Sequence, residues 1–222
     1  MKISIIIPVL NEAGCIEECL AGLQDLRQEG HEIIVVDGGS TDATVSLATP
    51  LCDILVNSAR GRARQMNTGA ATAAGGVLLF LHADTRLTFD AGKLHNENVI
   101  DDMWGCFSVR LSGSHPLFRI IEFFINLRSR LTHIISGDQV LFISRGLFNH
   151  VGGFPDIPLM EDIAISSTLK RCSAPRCLPD TVVTSSRRWE RHGIIKTVLQ
   201  MWLRRFRFAM GASPAILAKD YD

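Results

Sequence analysis

Three aspartates in this chain stand where a carboxylate can act on a ligand. Asp37 ends the apolar run from His31 to Val36 and is followed by Gly38, Gly39, Ser40, Thr41 and Asp42. A carboxylate at such a strand end can accept hydrogen bonds from a ribose hydroxyl or a base N–H, and the glycines let backbone and ligand approach closely. Asp84 closes the apolar run Leu78–Leu81 together with His82. Read as a strand, a separation of two residues puts both side chains on one face. A carboxylate there can take Mg²⁺ or Mn²⁺ and bridge the cation to ligand phosphates. Its plainer reading is a turn former ahead of Thr85. Asp162 follows Glu161 at the start of an amphipathic helical stretch. A carboxylate so placed can accept the proton of an attacking alcohol, or it can simply cap the helix and meet its dipole.

These positions need a frame that brings strand ends together, and the first half of the sequence supplies the pattern. Strands are predicted over 3–8, 32–37, 53–57 and 77–82, with helices over about 13–27, 41–48 and 61–74 between them. That alternation implies an α/β fold with a parallel sheet, whose ligands collect at the carboxyl ends of the strands. The order loosens afterwards: a strand near 104–111, an apolar helical segment over 116–135, a strand over 139–143, and helices near 161–171 and 194–210. Pro8 fixes the exit of the first strand, and Asn11 and Glu12 offer directed hydrogen bonds in the turn that follows. No Gly-x-Gly-x-x-Gly follows that strand, which argues against an NAD or FAD oxidoreductase.

With 222 residues, 46% of them hydrophobic, the chain can bury a sizeable core, and no repeat or linker divides it. Its formal net charge is zero, which argues against a general nucleic-acid binder. Local clusters such as Arg60, Arg62 and Arg64, or Arg187 and Arg188, still suit a phosphate-bearing ligand. The short, proline-interrupted apolar start does not fit an export signal, and no stretch reaches the roughly 18 apolar residues of a spanning helix. A cytoplasmic protein is expected. Six cysteines without Cys-x-x-Cys spacing read as small buried side chains of a reducing compartment rather than a zinc site.

Taken in order, Ile5–Glu12, Val36–Asp42, Arg60–Gly69 with Asn67, Phe80–Asp84, Val151–Pro155 and Met160–Asp162 resemble the family 2 glycosyltransferases over most of the chain. The resemblance implies a GT-A fold: a Rossmann-like nucleotide-sugar-binding domain with a central, mostly parallel mixed sheet flanked by helices. Residues 1–222 would form this single domain, with about 1–100 as the nucleotide-sugar-binding half and about 101–222 as the acceptor-side half. It implies transfer of a sugar from a UDP-sugar, such as UDP-glucose or UDP-N-acetylglucosamine, with inversion at the anomeric carbon and with Mg²⁺ or Mn²⁺ as cofactor. Asp37 would then bind uridine, Pro8, Asn11, Glu12 and Gly39 would line the nucleoside pocket, and Arg60 and Arg64 would lie beside it. His82 would stand on the ribose side, Asp84 would hold the metal, and Asp162, with Glu161, would be the general base. Many members carry Asp-x-Asp where this chain has His82-Ala83-Asp84, and Gln-x-x-Arg-Trp where it has Ser185-Ser186-Arg187-Arg188-Trp189. The second departure sets it apart from processive polysaccharide synthases.

The segments Pro158–Asp162, Ser136–Gln139 and Thr184–Arg188 more narrowly resemble the small radical-SAM/selenodomain-associated transferase subgroup. That resemblance implies a small anionic acceptor, selenophosphate giving a selenosugar or an arsenic counterpart. Gly137, Asp138, Gln139, Arg187 and Arg188 would sit at the diphosphate or acceptor, because an anion needs cationic hydrogen-bond donors. A competing reading takes the apolar side chains of 117–124 and the basic aromatic segment 202–208 as a surface for a lipid-linked acceptor at a membrane. The preferred account of those stripes is core or a homodimer interface. A non-catalytic nucleotide-sugar-binding protein is the alternative outside the enzymes.

Overall fold

The computed structural model describes residues 2–89 and 103–219. Its first four strands are β1 (Ile3–Val9), β2 (Glu32–Asp37), β3 (Ile54–Asn57) and β4 (Val77–Phe80). All four pair in parallel, with Ile5 opposite Ile33 on one side and Leu79 on the other. β2 and β4 are buried along their whole length and β1 nearly so, as expected of strands covered by helices on both faces. Alternation within β1 divides the core: Ile3, Ile5, Ile7 and Val9 pack on one side of the sheet, and Ile6 packs with Val36, Leu78 and Phe80 on the other.

The flanking helices are α1 (Ile16–Ala21), α2 (Gln24–Gln28), α3 (Thr44–Ala48) and α4 (Arg62–Thr72). The single helix expected over 13–27 is two, separated at Gly22-Leu23, where glycine lowers the gain from continuing a helix. α4 lies very close to the sheet: a Cβ on Gly69 would sit 2.4 Å from Ile6 Cγ2 and 2.9 Å from Val36 Cγ2.

Beyond β4 the sheet becomes mixed. β5 (Thr85–Leu87), β6 (Trp104–Leu111), β7 (Leu141–Ser144) and β8 (Arg176–Thr184) complete eight strands in the order β3-β2-β1-β4-β7-β6-β8-β5. β7 is antiparallel to β4 and β6, β6 and β8 run parallel, and β5 is antiparallel to β8. β5 therefore leaves β4 after a four-residue turn yet pairs at the far end of the order. This curl of the sheet carries the His82–Asp84 turn to the carboxyl end of β8. The expectation of His82 and Asp84 side by side on a strand is corrected here: β4 stops at Phe80, and Thr85 N donates to His82 O (3.0 Å) across a turn.

β5 and β8 were not expected from the sequence. β8 contains Pro179 and Asp180, which disfavour a strand, and the structure accommodates them in a register shift. Cys106 faces Cys177 but Ser108 faces Thr181, a bulge that removes the need for a proline N–H in the ladder.

The remaining helices are α5 (Pro116–Thr132), α6 (Arg145–Val151), α7 (Glu161–Leu169), α8 (Arg187–His192), α9 (Ile194–Ala209) and α10 (Pro214–Lys219). α5 and α9 leave much of their apolar stripes exposed, Phe123, Phe124, Leu199, Trp202 and Phe206 among them, so of the two expected accounts, core or a homodimer interface, these side chains do not fit core. No helix among the described residues is long and apolar enough to cross a membrane. The junction expected near residue 100 lies outside the described residues.

Candidate active site

The chain steps outward from β1 to β2 to β3 and then returns to place β4 on the other side of β1. Such a reversal opens a crevice at the carboxyl ends of the two strands, the preferred ligand position of open α/β sheets. The loops around it are tied by side chains. Asn11, with φ +55°, gives its N–H to Ser40 Oγ (2.9 Å) and accepts from Thr41 N (2.8 Å). Glu12 N donates to Thr44 Oγ1 (2.8 Å), and Ala13 N to Asp42 Oδ2 (3.1 Å). Below them Gln65 Nε2 bridges the carbonyls of Val9 (2.8 Å) and Val36 (2.9 Å).

A cleft of about 470 Å³ opens at this crevice. Pro8, Val9 and Glu12 line it from β1 and its loop, His82 and Asp84 from the turn after β4, and Ser185 and Arg188 from the end of β8. Asp84 is fixed through its backbone, whose carbonyl accepts from Ser185 N (3.1 Å). Its carboxylate has one long hydrogen bond, from Thr85 Oγ1 (3.4 Å). Arg60, Arg62 and Arg188 line the same cleft. An open carboxylate facing arginines across a cleft suits a cation carried on an anionic ligand.

Among the described residues no group of three or more His, Cys, Asp or Glu could hold an ion. That composition is unsuited to a closed structural site but fits Mg²⁺ or Mn²⁺ held by one carboxylate with phosphate oxygens and water completing its shell. His82 stands with Asp84 in this cleft. Burial, with the nearby Arg62 charge, pushes its pKa down to about 4, and its Nδ1 stands 3.8 Å from Asp138 Oδ1.

The deep wall is formed where α7 begins. Met160 caps the helix with φ +70°, a left-handed turn that aims Glu161 and Asp162 inward. Glu161 is buried and pairs with Arg62 (Oε1 to Nη1, 3.3 Å). Burial pushes its carboxyl upward, opposed by Arg62 and assisted by the Asp162 charge. Asp162 accepts from Gly137 N through Oδ2 (2.9 Å) and from Ile163 N through Oδ1 (2.8 Å). Gly137 must be glycine, since a Cβ would lie 2.5 Å from His82 Cε1. Burial and the Asp162 charge raise the Asp138 carboxyl above its ordinary value, while Arg62, Arg205 and Arg128 oppose that rise. Behind this wall an inner cavity of about 70 Å³ is lined by Arg62, Asp162, Met201, Arg204 and Arg205.

Residues 4–96 match the family described as Glycosyl transferase family 2. The amino-terminal part of the chain is thus similar to that family. Over 169 residues it is 29% identical to the "PGL/p-HBAD biosynthesis glycosyltransferase" of Mycobacterium bovis, covering 68% of this chain and 62% of that one. The chain thus spans about 62% of the length of that curated relative. A solved mannosyltransferase from Pyrobaculum calidifontis, in complex with GDP-Man and Mn²⁺, aligns with TM-score 0.63 and 24% identity, over 82% of this chain and 56% of that one. Glucosyl-3-phosphoglycerate synthase from Mycobacterium tuberculosis, in complex with Mn²⁺, UDP and glucosyl-3-phosphoglycerate, aligns with TM-score 0.59 and 20% identity, over 81% and 70%. These likenesses show the fold, which is that of the GT-A glycosyltransferases.

Several residues expected at the site lie outside the cleft lining. Asp37 is buried, with its carboxylate accepting from Gly39 N (3.0 Å) and Ser40 N (3.0 and 3.1 Å). Asp37, Gly39 and Asn11 therefore brace the loop behind the cleft and do not line it. Arg64 is exposed and pairs with Asp156 (2.8 Å), away from the cleft. Gln139 is buried and donates to Ser129 Oγ (2.9 Å), with Ser136 as its capping partner. Arg187 is exposed and its side chain reaches the Cys15 thiol, whereas Arg188 lines the cleft. Arg62, expected from the basic cluster to suit a phosphate-bearing ligand, lines it too, as do Gln65, Trp189 and Met201, which were not expected at the site. The place of Arg62 follows from its position, because residues at the first turn of a helix that follows a strand end point toward the crevice.

Proposed function

We propose that this chain transfers a sugar from a UDP-sugar to an anionic acceptor, with inversion at the anomeric carbon and with Mg²⁺ or Mn²⁺ held at Asp84. The observation that carries the reading is Asp84 itself: a carboxylate with one long hydrogen bond, fixed by its backbone between the ends of β4 and β8, facing Arg60, Arg62 and Arg188. The bound cation would offset charge on the departing diphosphate. The chain's own groups do the rest. Pro8 and Glu12 shape the nucleoside end, and the arginines supply charge-assisted donors to phosphate oxygens without reorganising.

Glu161 and Asp162 lie on the wall beyond the diphosphate, and inversion requires attack from the side opposite the leaving group. Glu161, held by Arg62, lines both the donor cleft and the inner cavity, and Asp162 lines the inner cavity with Arg204 and Arg205. An alcohol entering there would give its proton to Asp162. An acceptor that is already ionised needs no such base and depends instead on the arginines. Selenophosphate, a small anion, satisfies that requirement. On this reading residues up to about 100 form the donor half and the remainder the acceptor half, and the six free thiols suit a cytoplasmic protein.

The test is incubation with UDP-glucose or UDP-N-acetylglucosamine, Mn²⁺, and soluble and lipid phosphates including selenophosphate, followed by mass spectrometry. Release of UDP with a new sugar conjugate is expected. An intact donor with every acceptor, despite measurable UDP binding, would make the chain a nucleotide-sugar-binding protein without transfer.

A further inference from the structure

Helices α5 and α9 are turned inside out. The side chains that α9 buries are Thr197 and Arg204, while Ile195, Leu199, Trp202, Leu203 and Phe206 recur at helical spacing on its exposed face. α5 buries Glu122 and Ser129 beside Phe118 and Ile125, with Glu122 accepting from the backbone N–H of Leu111 (2.6 Å). It exposes Ile120, Phe123, Phe124 and Leu131. A soluble helix normally does the reverse, and a contiguous apolar face of this kind marks a contact surface.

Between the two helices runs an apolar groove of about 480 Å³, walled by Ile121, Phe124, Leu131, Val198 and Trp202. Its inner end meets Arg128 and Arg205, and Trp189 and Met201 line both this groove and the donor cleft. Met201 and Arg205 also line the inner cavity beside Asp162. The apolar path is therefore continuous with the place where an acceptor must arrive. Arg128 Nε is buried without a hydrogen-bond partner, and burial together with the Arg205 charge pushes the Arg128 guanidinium down to about 10. Two mutually repelling guanidiniums at the end of a hydrophobic groove suit an anionic head group.

The charge distribution agrees. Residues 116–132 and 187–209 hold ten Lys or Arg against two Glu, although the chain as a whole has net charge zero. Basic residues around an exposed apolar helix face are the signature of binding to an anionic bilayer surface.

We propose that α5 and α9 dock on an anionic lipid bilayer, and that the groove between them admits the hydrocarbon chain of a lipid-linked acceptor whose anionic head reaches Arg128, Arg205 and Asp162. This deepens the transferase reading by naming the acceptor class, and it rests on that reading only for the chemistry at the head. The bilayer contact stands by itself.

Trp104 and Trp189 are buried and Trp202 is 65% exposed, so tryptophan emission reports on α9. Vesicles of phosphatidylglycerol should shift the emission of the intact protein to shorter wavelength and sediment with it, and phosphatidylcholine vesicles should do so much less. Trp202→Phe should keep the sedimentation and lose the shift. The pair Trp202→Ser and Phe206→Ser should weaken vesicle binding by more than about tenfold, with UDP affinity in calorimetry unchanged as proof of an intact donor half. Transfer to a long-chain lipid phosphate should exceed transfer to inorganic phosphate and fall with Arg205→Ala. Absence of vesicle binding, or binding insensitive to both lipid charge and the paired substitution, overturns the docking proposal. A dimer in sedimentation velocity that the same pair dissolves, without vesicle binding, assigns the face to a second copy and overturns it too. Loss of UDP binding in the unsubstituted protein would instead defeat the donor reading and leave the vesicle result unaffected.

Discussion

The parallel half, from β1 to β4, and the half that follows it treat polar and apolar side chains in opposite ways. In the first, Ile5, Ile7, Val35 and Leu79 fill the interior, and the polar side chains work at the strand ends, tying one loop to the next. In the second, Glu122, Glu161 and Arg204 are buried while Phe123, Trp202 and Phe206 face outward. The first half spends its sequence on a rigid platform, and the second on a surface and a charged interior that await partners. Stability should reside in one and acceptor selection in the other.

The largest expected effect comes where the two halves meet. Asp84 belongs to the first half by sequence and is held by Ser185 of the second. Asp84→Ala should lower metal-dependent transfer by about 10³-fold, comparable to losing one preorganised electrostatic contact in a transition state, with little change in melting temperature. Steady-state kinetics with Mn²⁺ beside a thermal melt checks both parts.

Next is the acceptor wall. For an anionic acceptor, Arg205→Ala should cost about 10²-fold in kcat/KM, through the loss of charge-assisted hydrogen bonds. Asp162→Asn should cost less, its main consequence being the weakened hold on Gly137 N. For an alcohol the order reverses, with Asp162→Asn losing about 10²–10⁴-fold. Kinetics on the two variants with one acceptor separates the cases.

Smaller still is a stability contrast that would break the comparison if it failed. Gly69→Ala drives a methyl into Ile6 and Val36 and should destabilise the fold by about 1–3 kcal/mol. Leu199→Ser, which removes an exposed apolar side chain from α9, should change stability by no more than about 0.5 kcal/mol. Urea unfolding of both variants measures the difference.

The same contrast explains what could be read without coordinates. Val35 and Leu79 sit in dense apolar runs bounded by Gly or Pro, so local pattern and tertiary environment agree, and the first four strands were legible almost to the residue. β8 was not, because Pro179 and Asp180 argue against a strand unless the bulge opposite Cys106–Ser108 is already known. The apolar stripes of α5 and α9 were legible as stripes, but an amphipathic pattern does not say which face is inside. Asp84, Glu161 and Arg188 stood out by type and position, and the fold brings the three to one cleft. Asp37 also serves its own turn, a use of a strand-end carboxylate that type and position alone do not reveal. Arg62 was legible as one of a basic cluster, but its pairing with Glu161, 99 positions away, lies at a separation where sequence carries no local signal.

The central claim is that Asp84 binds a cation through a nucleoside diphosphate. Calorimetric titration of UDP into wild type and Asp84→Ala, each with Mn²⁺ and with chelator, tests it most directly. The account predicts that Mn²⁺ tightens UDP binding to the wild type by at least about tenfold, that the variant loses most of this gain, and that uridine binds both proteins equally. Equal UDP affinity with and without Mn²⁺ in both proteins would contradict it.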